Sequence, residues 1–286
     1  MTATEFSLRF YGVRGSVATG GLDTARFGGN TSCTLVEVGD HRVVLDGGTG
    51  MRALGQDLMK KLPVQATVLF SHMHWDHIQG LPFFVPAYVP GNIVAIYAEK
   101  KGDFGPSHLL GSQMTYPVFP VKPAEMKAQL SFHELEPGSA REIAPGLVLK
   151  THRLNHPDDS LGFRLEAAGH TLLYITDIEH DDARTPALAA FCQGADVLIY
   201  DAMYTPEEYP RYRGWGHSTW DAAVELAQLA RVSKLILFHH EPTHNDDFVL
   251  SIEAEARQRF ANVACAYEGM EIDVCTGRIG TTLPQR

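Results

Sequence analysis

Apolar and polar positions along this chain fall into short blocks that alternate between a two-residue and a helical period. Residues 33–38 and 42–46 are rich in β-branched and apolar side chains and are separated by Gly39-Asp40, which predicts a hairpin. Residues 50–61 predict a helix, and residues 66–70 (Ala-Thr-Val-Leu-Phe) predict a buried strand. Further strands are predicted at 93–97, 147–151, 161–166, 170–176, 196–200, 234–238, 263–267 and 271–275. The strands at 161–166 and 170–176 turn near Gly169-His170 and predict a second hairpin. Between 219 and 231, Ala222, Ala223, Leu226 and Leu229 recur at helical spacing, and 248–260 predicts another helix. Strands interleaved with helices in this way predict a layered α/β protein.

The stretch 99–146 breaks the pattern. It carries Pro106, Pro117, Pro120, Pro123 and Pro137, with Met114, Tyr116, Phe119 and Met126 among them. It is expected to be an irregular excursion with some helix, serving as a lid, a substrate wall, a subunit interface or a packed connection. No repeat, low-complexity tract or Ser/Gly linker divides the chain, so a single domain over residues 1–286 is expected.

Composition narrows the classes. Hydrophobic residues make up 44% and charged residues 20%, an ordinary globular mix. No apolar run approaches the roughly 20 residues that cross a bilayer. The opening ten residues lack a basic start and an apolar core, so a cytoplasmic protein without a signal peptide is expected. With 24 basic and 34 acidic residues the net charge is −10, which argues against non-specific binding to nucleic acid. Cys33, Cys192, Cys265 and Cys275 form no Cys-x-x-Cys pair and are expected as small buried hydrophobes in a reducing compartment. The unusual count is histidine: there are 14, several of them clustered.

Residues 71–77 read Ser-His-Met-His-Trp-Asp-His, directly after the apolar run 66–70. Divalent zinc is held by neutral imidazole nitrogen and carboxylate oxygen gathered at close range. In an extended segment His72 and His74 face the same side, while Asp76 and His77 fall on the next turn and reach a second ion. His156 follows the strand at 147–151, Asp177 ends Tyr-Ile-Thr-Asp, and His239 follows 234–238. Every one of these candidates lies just past the C-terminal end of an apolar strand, the edge at which α/β sheets build their sites.

His-Met-His-Trp-Asp-His resembles the H-x-H-x-D-H signature of the metallo-β-lactamase superfamily, and His156, Asp177 and His239 follow in the order of that family's later ligand motifs. Asp46, in Leu-Asp-Gly-Gly-Thr-Gly, resembles its early structural aspartate. The resemblance covers nearly the whole chain. It implies a four-layer αββα sandwich with two divalent metal ions per chain, zinc first and manganese or iron as alternatives. It implies that His72, His74 and His156 hold one ion, that Asp76, His77 and His239 hold the other, and that Asp177 bridges them. Asp76 also counts among the residues of catalysis. His239 and His240 are adjacent, which leaves the ligand open; the strand-end position favours His239, with His240 contacting substrate or supporting the ligands.

Gly-His-Ser-Thr at 216–219 opens the helix 219–231 and is similar to the phosphodiesterase branch of the superfamily, which includes tRNase Z and compact cyclic phosphodiesterases. Ser218 and Asp221 predict a capping box. The resemblance gives His217 the scissile phosphate, as general acid to the leaving group. Only 21 positions separate His156 from Asp177, too few for the arm with which tRNase Z grips tRNA, so a small-molecule phosphodiester is expected rather than tRNA, with a cyclic one among the candidates. The glycine-rich stretches 12–16 and 28–33 also resemble this branch and offer Arg14, Ser16, Asn30 and Thr31 as donors to phosphate. Ser160 or Arg164, in the similar stretch 156–164, is expected near the pocket. The implied activity is diester hydrolysis by a hydroxide generated on paired metal ions. A lactone or thioester hydrolase of the same fold, and a metal-bound sensor without catalysis, are the alternatives. Homodimerisation is a further expectation, and membrane association is not expected.

Overall fold

The computed structural model describes residues 5–281, 283 and 284. Residues 1–4, where the opening stretch begins, lie outside the described residues. In chain order the first elements are β1 (Phe6–Gly12), β2 (Cys33–Val38), β3 (His41–Leu45), α1 (Met51–Leu58), β4 (Gln65–Leu69), α2 (Trp75–Ile78) and β5 (Ile93–Glu99). Then come α3 (Pro106–Ser112), β6 (Gln129–Leu135), β7 (Ala140–Ala144), β8 (Leu147–Leu154), β9 (Ser160–Ala167), β10 (His170–Ile175), α4 (Thr185–Cys192) and β11 (Val197–Asp201). The chain ends with α5 (Tyr209–Tyr212), α6 (Trp220–Leu229), β12 (Lys234–Phe238), α7 (Asp246–Arg259), β13 (Val263–Cys265), β14 (Glu271–Asp273) and β15 (Arg278–Ile279).

The strands form two sheets, ordered β15-β14-β1-β2-β3-β4-β5-β6 and β13-β12-β11-β10-β9-β8-β7. Alternation along each strand explains how they stack. In β2, Val36 and Val38 enter the core shared by the two sheets, while Leu35 faces the other way. In β3, Val43 and Leu45 point inward and Val44 outward, against Met51, Leu54 and Leu58 of α1. Leu188 of α4, Val224 of α6 and Val249 of α7 join the larger core behind the second sheet. Both sheets are therefore covered on both faces, which is why their central parallel strands read as continuous apolar runs. The layers are helix, sheet, sheet, helix, as the resemblance implied.

Besides α4, which no sequence pattern predicted, two parts of the sequence hold more structure than expected. Phe6, Leu8 and Phe10 are buried while Ser7 and Arg9 are half-buried, a two-residue alternation that makes residues 6–12 a strand between β2 and β14. The proline-rich stretch 99–146 contains α3, as expected, but also β6 and β7, which form one edge of each sheet. Among the described residues no helix is long and apolar enough to cross a membrane.

Candidate metal centre

The parallel strands β3 and β4 of the first sheet and β10, β11 and β12 of the second end side by side, and their C-terminal ends deliver the polar residues. Asp46 follows β3, Ser71 to His77 follow β4, Asp177 follows β10, Asp201 closes β11 and His239 follows β12. Asp46 (φ 58°), Asp177 (φ 53°) and His239 (φ 63°) all adopt the left-handed conformation. Non-glycine residues avoid that region, and such strain collects at functional sites. Here it turns the chain sharply off each strand, and the side chain is left over the sheet edge.

Two donor groups result, sharing one carboxylate. His72, His74, His156 and Asp177 form the first, and Asp76, His77, His239 and Asp177 the second. In the first, His156 Nε2 lies 3.0 Å from His74 Nδ1 and 3.8 Å from Asp177 Oδ2, and His72 Nε2 lies 3.6 Å from the same oxygen. In the second, His77 Nε2 and His239 Nε2 are 3.2 Å apart, and Asp177 Oδ1 is 3.1 Å and 3.3 Å from them. Asp76 Oδ2 lies 3.2 Å from both nitrogens. Asp177 thus turns one oxygen to each group.

Surrounding bonds fix which ring nitrogens face inward. Asp46 Oδ2 accepts from His77 Nδ1 at 2.8 Å, leaving Nε2 free toward the second group. Ser71 Oγ donates to Asp46 Oδ2 at 2.8 Å, so it accepts from His72 Nδ1 at 3.0 Å. His156 Nδ1 donates to the Gly216 carbonyl at 2.8 Å. Burial and the neighbouring His77 push the His72 pKa well down, and its Nε2 is buried with no hydrogen-bond partner. Burial opposes charge on Asp76 and Asp177, yet His77 and His239 hold Asp76, and His239, His77 and His72 hold Asp177, well below the usual carboxylate range. Burial of His77 is outweighed by Asp177, Asp76 and Asp46, which raise its pKa well above the ordinary value, so a divalent cation in the second group would displace a proton. Imidazole nitrogens and ionised carboxylates at these spacings fit divalent cations. Two nitrogens bound to one tetrahedral zinc lie about 3.3 Å apart.

His217 lies beside this centre. Its ring stacks on His239 at 5.0 Å between centroids, and its Nδ1 donates to Asp201 Oδ2 at 2.8 Å. Burial lowers its pKa, but the Asp201 carboxylate outweighs this, with Asp177 and Asp76 adding to it, and raises the value to about 9. The helix that follows is capped by Thr219, whose hydroxyl accepts from Ala222 N, and not by Ser218 as the sequence pattern suggested. Ser218 lies inward, with its hydroxyl 3.0 Å from His180 Nδ1 and its N–H on Asp201 Oδ1.

The other predicted residues divide. Ser16 is at the centre: its backbone N–H donates to Asp76 Oδ2 at 2.8 Å. Ser160 Oγ donates to the Asp177 carbonyl at 2.8 Å. Arg14 is fully buried and donates to the carbonyls of Gly28, Glu241 and His244. Asn30 donates to Glu268, and Thr31 exchanges backbone-to-hydroxyl bonds with Thr49. His240 is buried, its Nε2 on the Ala266 carbonyl and its ring edge-on to Phe27. Arg164 pairs with Glu166 and the Phe191 carbonyl. The structure therefore engages Arg14, Asn30, Thr31, His240 and Arg164 with protein partners and brings none of them into the donor groups. A cleft of about 500 Å³ opens beside His72 and His74, walled by Glu99, Lys101 and Asp158.

Asp201 and Ser71 were not anticipated, and neither was Tyr174, whose hydroxyl donates to Asp46 at 2.9 Å. Asp201 carried a legible signal, since it ends an apolar strand as Asp177 nearly does. Ser71 acts through hydrogen bonds to Asp46 and His72, and Tyr174 through one to Asp46, which no spacing encodes.

The beta-lactamase superfamily domain matches residues 41–240. The chain belongs to that family, and its two-sheet architecture is the metallo-β-lactamase fold. Ribonuclease Z of Lactobacillus helveticus (strain DPC 4571) is 23% identical to it over 258 residues, covering 72% of this chain and 79% of that protein. Among solved structures, the metallo-β-lactamase fold protein YhfI from Bacillus subtilis superposes with a TM-score of 0.72 at 21% identity, over 94% of this chain and 98% of YhfI. A diphosphatase of the PhnP family superposes with a TM-score of 0.67 at 20% identity, over 93% of this chain and 97% of that one.

Proposed function

We propose that the protein is a binuclear metal-dependent phosphodiesterase acting on a small phosphodiester. The observation that carries this reading is the pair of donor groups joined through Asp177, with the His217–Asp201 pair beside them. His72, His74, His156 and Asp177 would hold one divalent ion, and Asp76, His77, His239 and Asp177 the other. Nitrogen and carboxylate donors suit zinc first, with manganese or iron as alternatives. When bound, such ions activate a water and neutralise charge on the phosphoryl oxygens.

Hydrolysis joins a water oxygen to phosphorus and breaks one P–O ester bond, giving a phosphate monoester and an alcohol. The departing alkoxide needs a proton. His217 supplies it from Nε2, because Nδ1 is held by Asp201, which also steadies the imidazolium before transfer. The backbone N–H of Ser16 fixes the Asp76 carboxylate. The interval between His156 and Asp177 is filled by the β9–β10 hairpin, with Ala168 and Gly169 at its turn, and this supports a small substrate over tRNA. Four free cysteines support a reducing location such as the cytoplasm.

The test is an assay panel on the zinc-loaded protein: bis-p-nitrophenyl phosphate, an alkyl or nucleoside diester, a lactone, a thioester and precursor tRNA. Turnover of the diesters is expected. Turnover of the lactone or thioester alone overturns the reaction class, and efficient trimming of precursor tRNA overturns the substrate size.

A further inference from the structure

Glu179 lies two residues beyond Asp177 and belongs to neither donor group, yet it ties together two parts of the site. Its side chain is almost wholly buried. Oε1 accepts from the Tyr209 hydroxyl at 2.8 Å and from Gly214 N at 2.8 Å, and Oε2 accepts from Gly214 N at 2.9 Å and Gly216 N at 3.0 Å. Its own backbone is locked to Asn155, the residue before His156, by bonds of 2.8 Å and 3.0 Å.

The clamped segment 214–216 matters on both sides. The Gly216 carbonyl receives His156 Nδ1–H, and the next residue is His217. Gly216 has φ 86°, and a Cβ there would come within 2.3 Å of His156 Nδ1. The segment thus runs against His156 with no side chain of its own to hold it at that point. A carboxylate suits this task because it offers two oxygens and no proton, so three N–H and O–H donors converge on it without conflict.

We propose that Glu179 is a positioning residue whose carboxylate sets, through the 214–216 backbone, both the orientation of His156 toward the first ion and the placement of His217 at the leaving group. The His217 half of this rests on the phosphodiesterase reading above, whereas the His156 half rests only on metal binding.

The test compares wild-type protein with Glu179→Gln, which keeps the volume but turns an NH2 group toward backbone N–H donors. Two quantities are measured. One is the zinc affinity of the more weakly held ion, by competition with a chromophoric chelator. The other is the ratio of kcat on an alkyl diester to kcat on bis-p-nitrophenyl phosphate, with KM recorded for both. Zinc affinity is expected to fall about tenfold, the lower end of what loss of a ligand's orienting partner does. The kcat ratio is also expected to fall, with KM little changed, because the aryl leaving group does not need His217. A folded variant in which either quantity stays at the wild-type value, whatever its melting temperature, overturns the proposal. If Glu179→Gln does not fold, Tyr209→Phe, which removes one bond aiming the carboxylate, decides in its place: a smaller fall in both quantities supports the proposal and wild-type values overturn it. If the wild-type protein cleaves no diester, the phosphodiesterase reading fails by itself, and the zinc titration alone decides for or against Glu179.

Discussion

The two donor groups share Asp177 but differ in charge and in access. The second group has two carboxylates and two imidazoles, all buried, with His77 backed by the fully buried Asp46. The first has three imidazoles and only the shared carboxylate, and its His74 side chain is 38% exposed at the cleft. A divalent cation is attracted more strongly where two anions lie in a low-dielectric enclosure than where one does. The second group is accordingly expected to hold a divalent cation more tightly than the first.

That contrast breaks most completely at Asp177. Asp177→Asn suits the left-handed backbone but offers one neutral oxygen instead of two charged ones, and elemental analysis is expected to find both positions depleted and diester hydrolysis at background. Selective loss of one ion would make Asp177 a terminal ligand. His72→Ala is expected to remove activity and the first ion while the second group keeps its own, giving one ion per chain. Loss of both ions alike would erase the difference between the groups.

His217→Ala is expected to leave metal content unchanged. It should slow an alkyl or nucleoside diester by roughly 10²- to 10⁴-fold and an aryl diester far less, since p-nitrophenolate leaves without protonation. Equal losses on both would make His217 a phosphate-positioning group. A general acid must carry its proton, and the Asp201 carboxylate outweighs burial to raise the His217 pKa to about 9. Cations bound at Asp177 and Asp76 offset the contribution of those carboxylates, so the alkyl-diester rate of the metal-loaded protein is expected to fall as pH rises, with its midpoint below that value. Asp201→Asn should move the falling limb to lower pH, and an unmoved limb would assign it to another group.

Asp46→Asn sharpens the comparison from behind the ligands. It is expected to weaken metal binding at the second group by about 10- to 100-fold, read by chelator competition, with the first group less affected. The smallest effect is expected at His240, beside the proposed ligand His239. His240→Ala should retain both ions and lower stability by about 1–3 kcal/mol through loss of its buried bond to the Ala266 carbonyl, read by denaturant unfolding. His239→Asn should empty the second position, and the reverse outcome would shift the register by one residue.

Legibility in the sequence followed the range of the interaction. Residues 72–77 were readable because one segment carries four donors, and His156, Asp177 and His239 because each follows an apolar strand. The stretch 99–146 was misleading because prolines between its elements mask β6 and β7, whose pairing partners β5 and β8 lie on either side of it. Arg14, Asn30 and Thr31 looked like phosphate donors because glycine-rich loops with polar side chains look alike whether they bind ligand or each other. Ser218 and Thr219 are equivalent as caps on paper, and only the inward turn of Ser218 toward His180 separates them.

Period and composition were enough to determine most of the central strands, helices α1, α6 and α7, the layered class and the donor types, because these depend on neighbours a few residues apart. Tertiary structure alone decided which oxygen of Asp177 faces which group, that Asp201 holds His217, that His240 points away while His239 points in, and that Glu179 clamps the loop behind His156. Each of these rests on where two sheets place strand ends that are 20 to 200 residues apart in sequence, and on single hydrogen bonds that choose one nitrogen or oxygen over another. Local sequence carries no record of either.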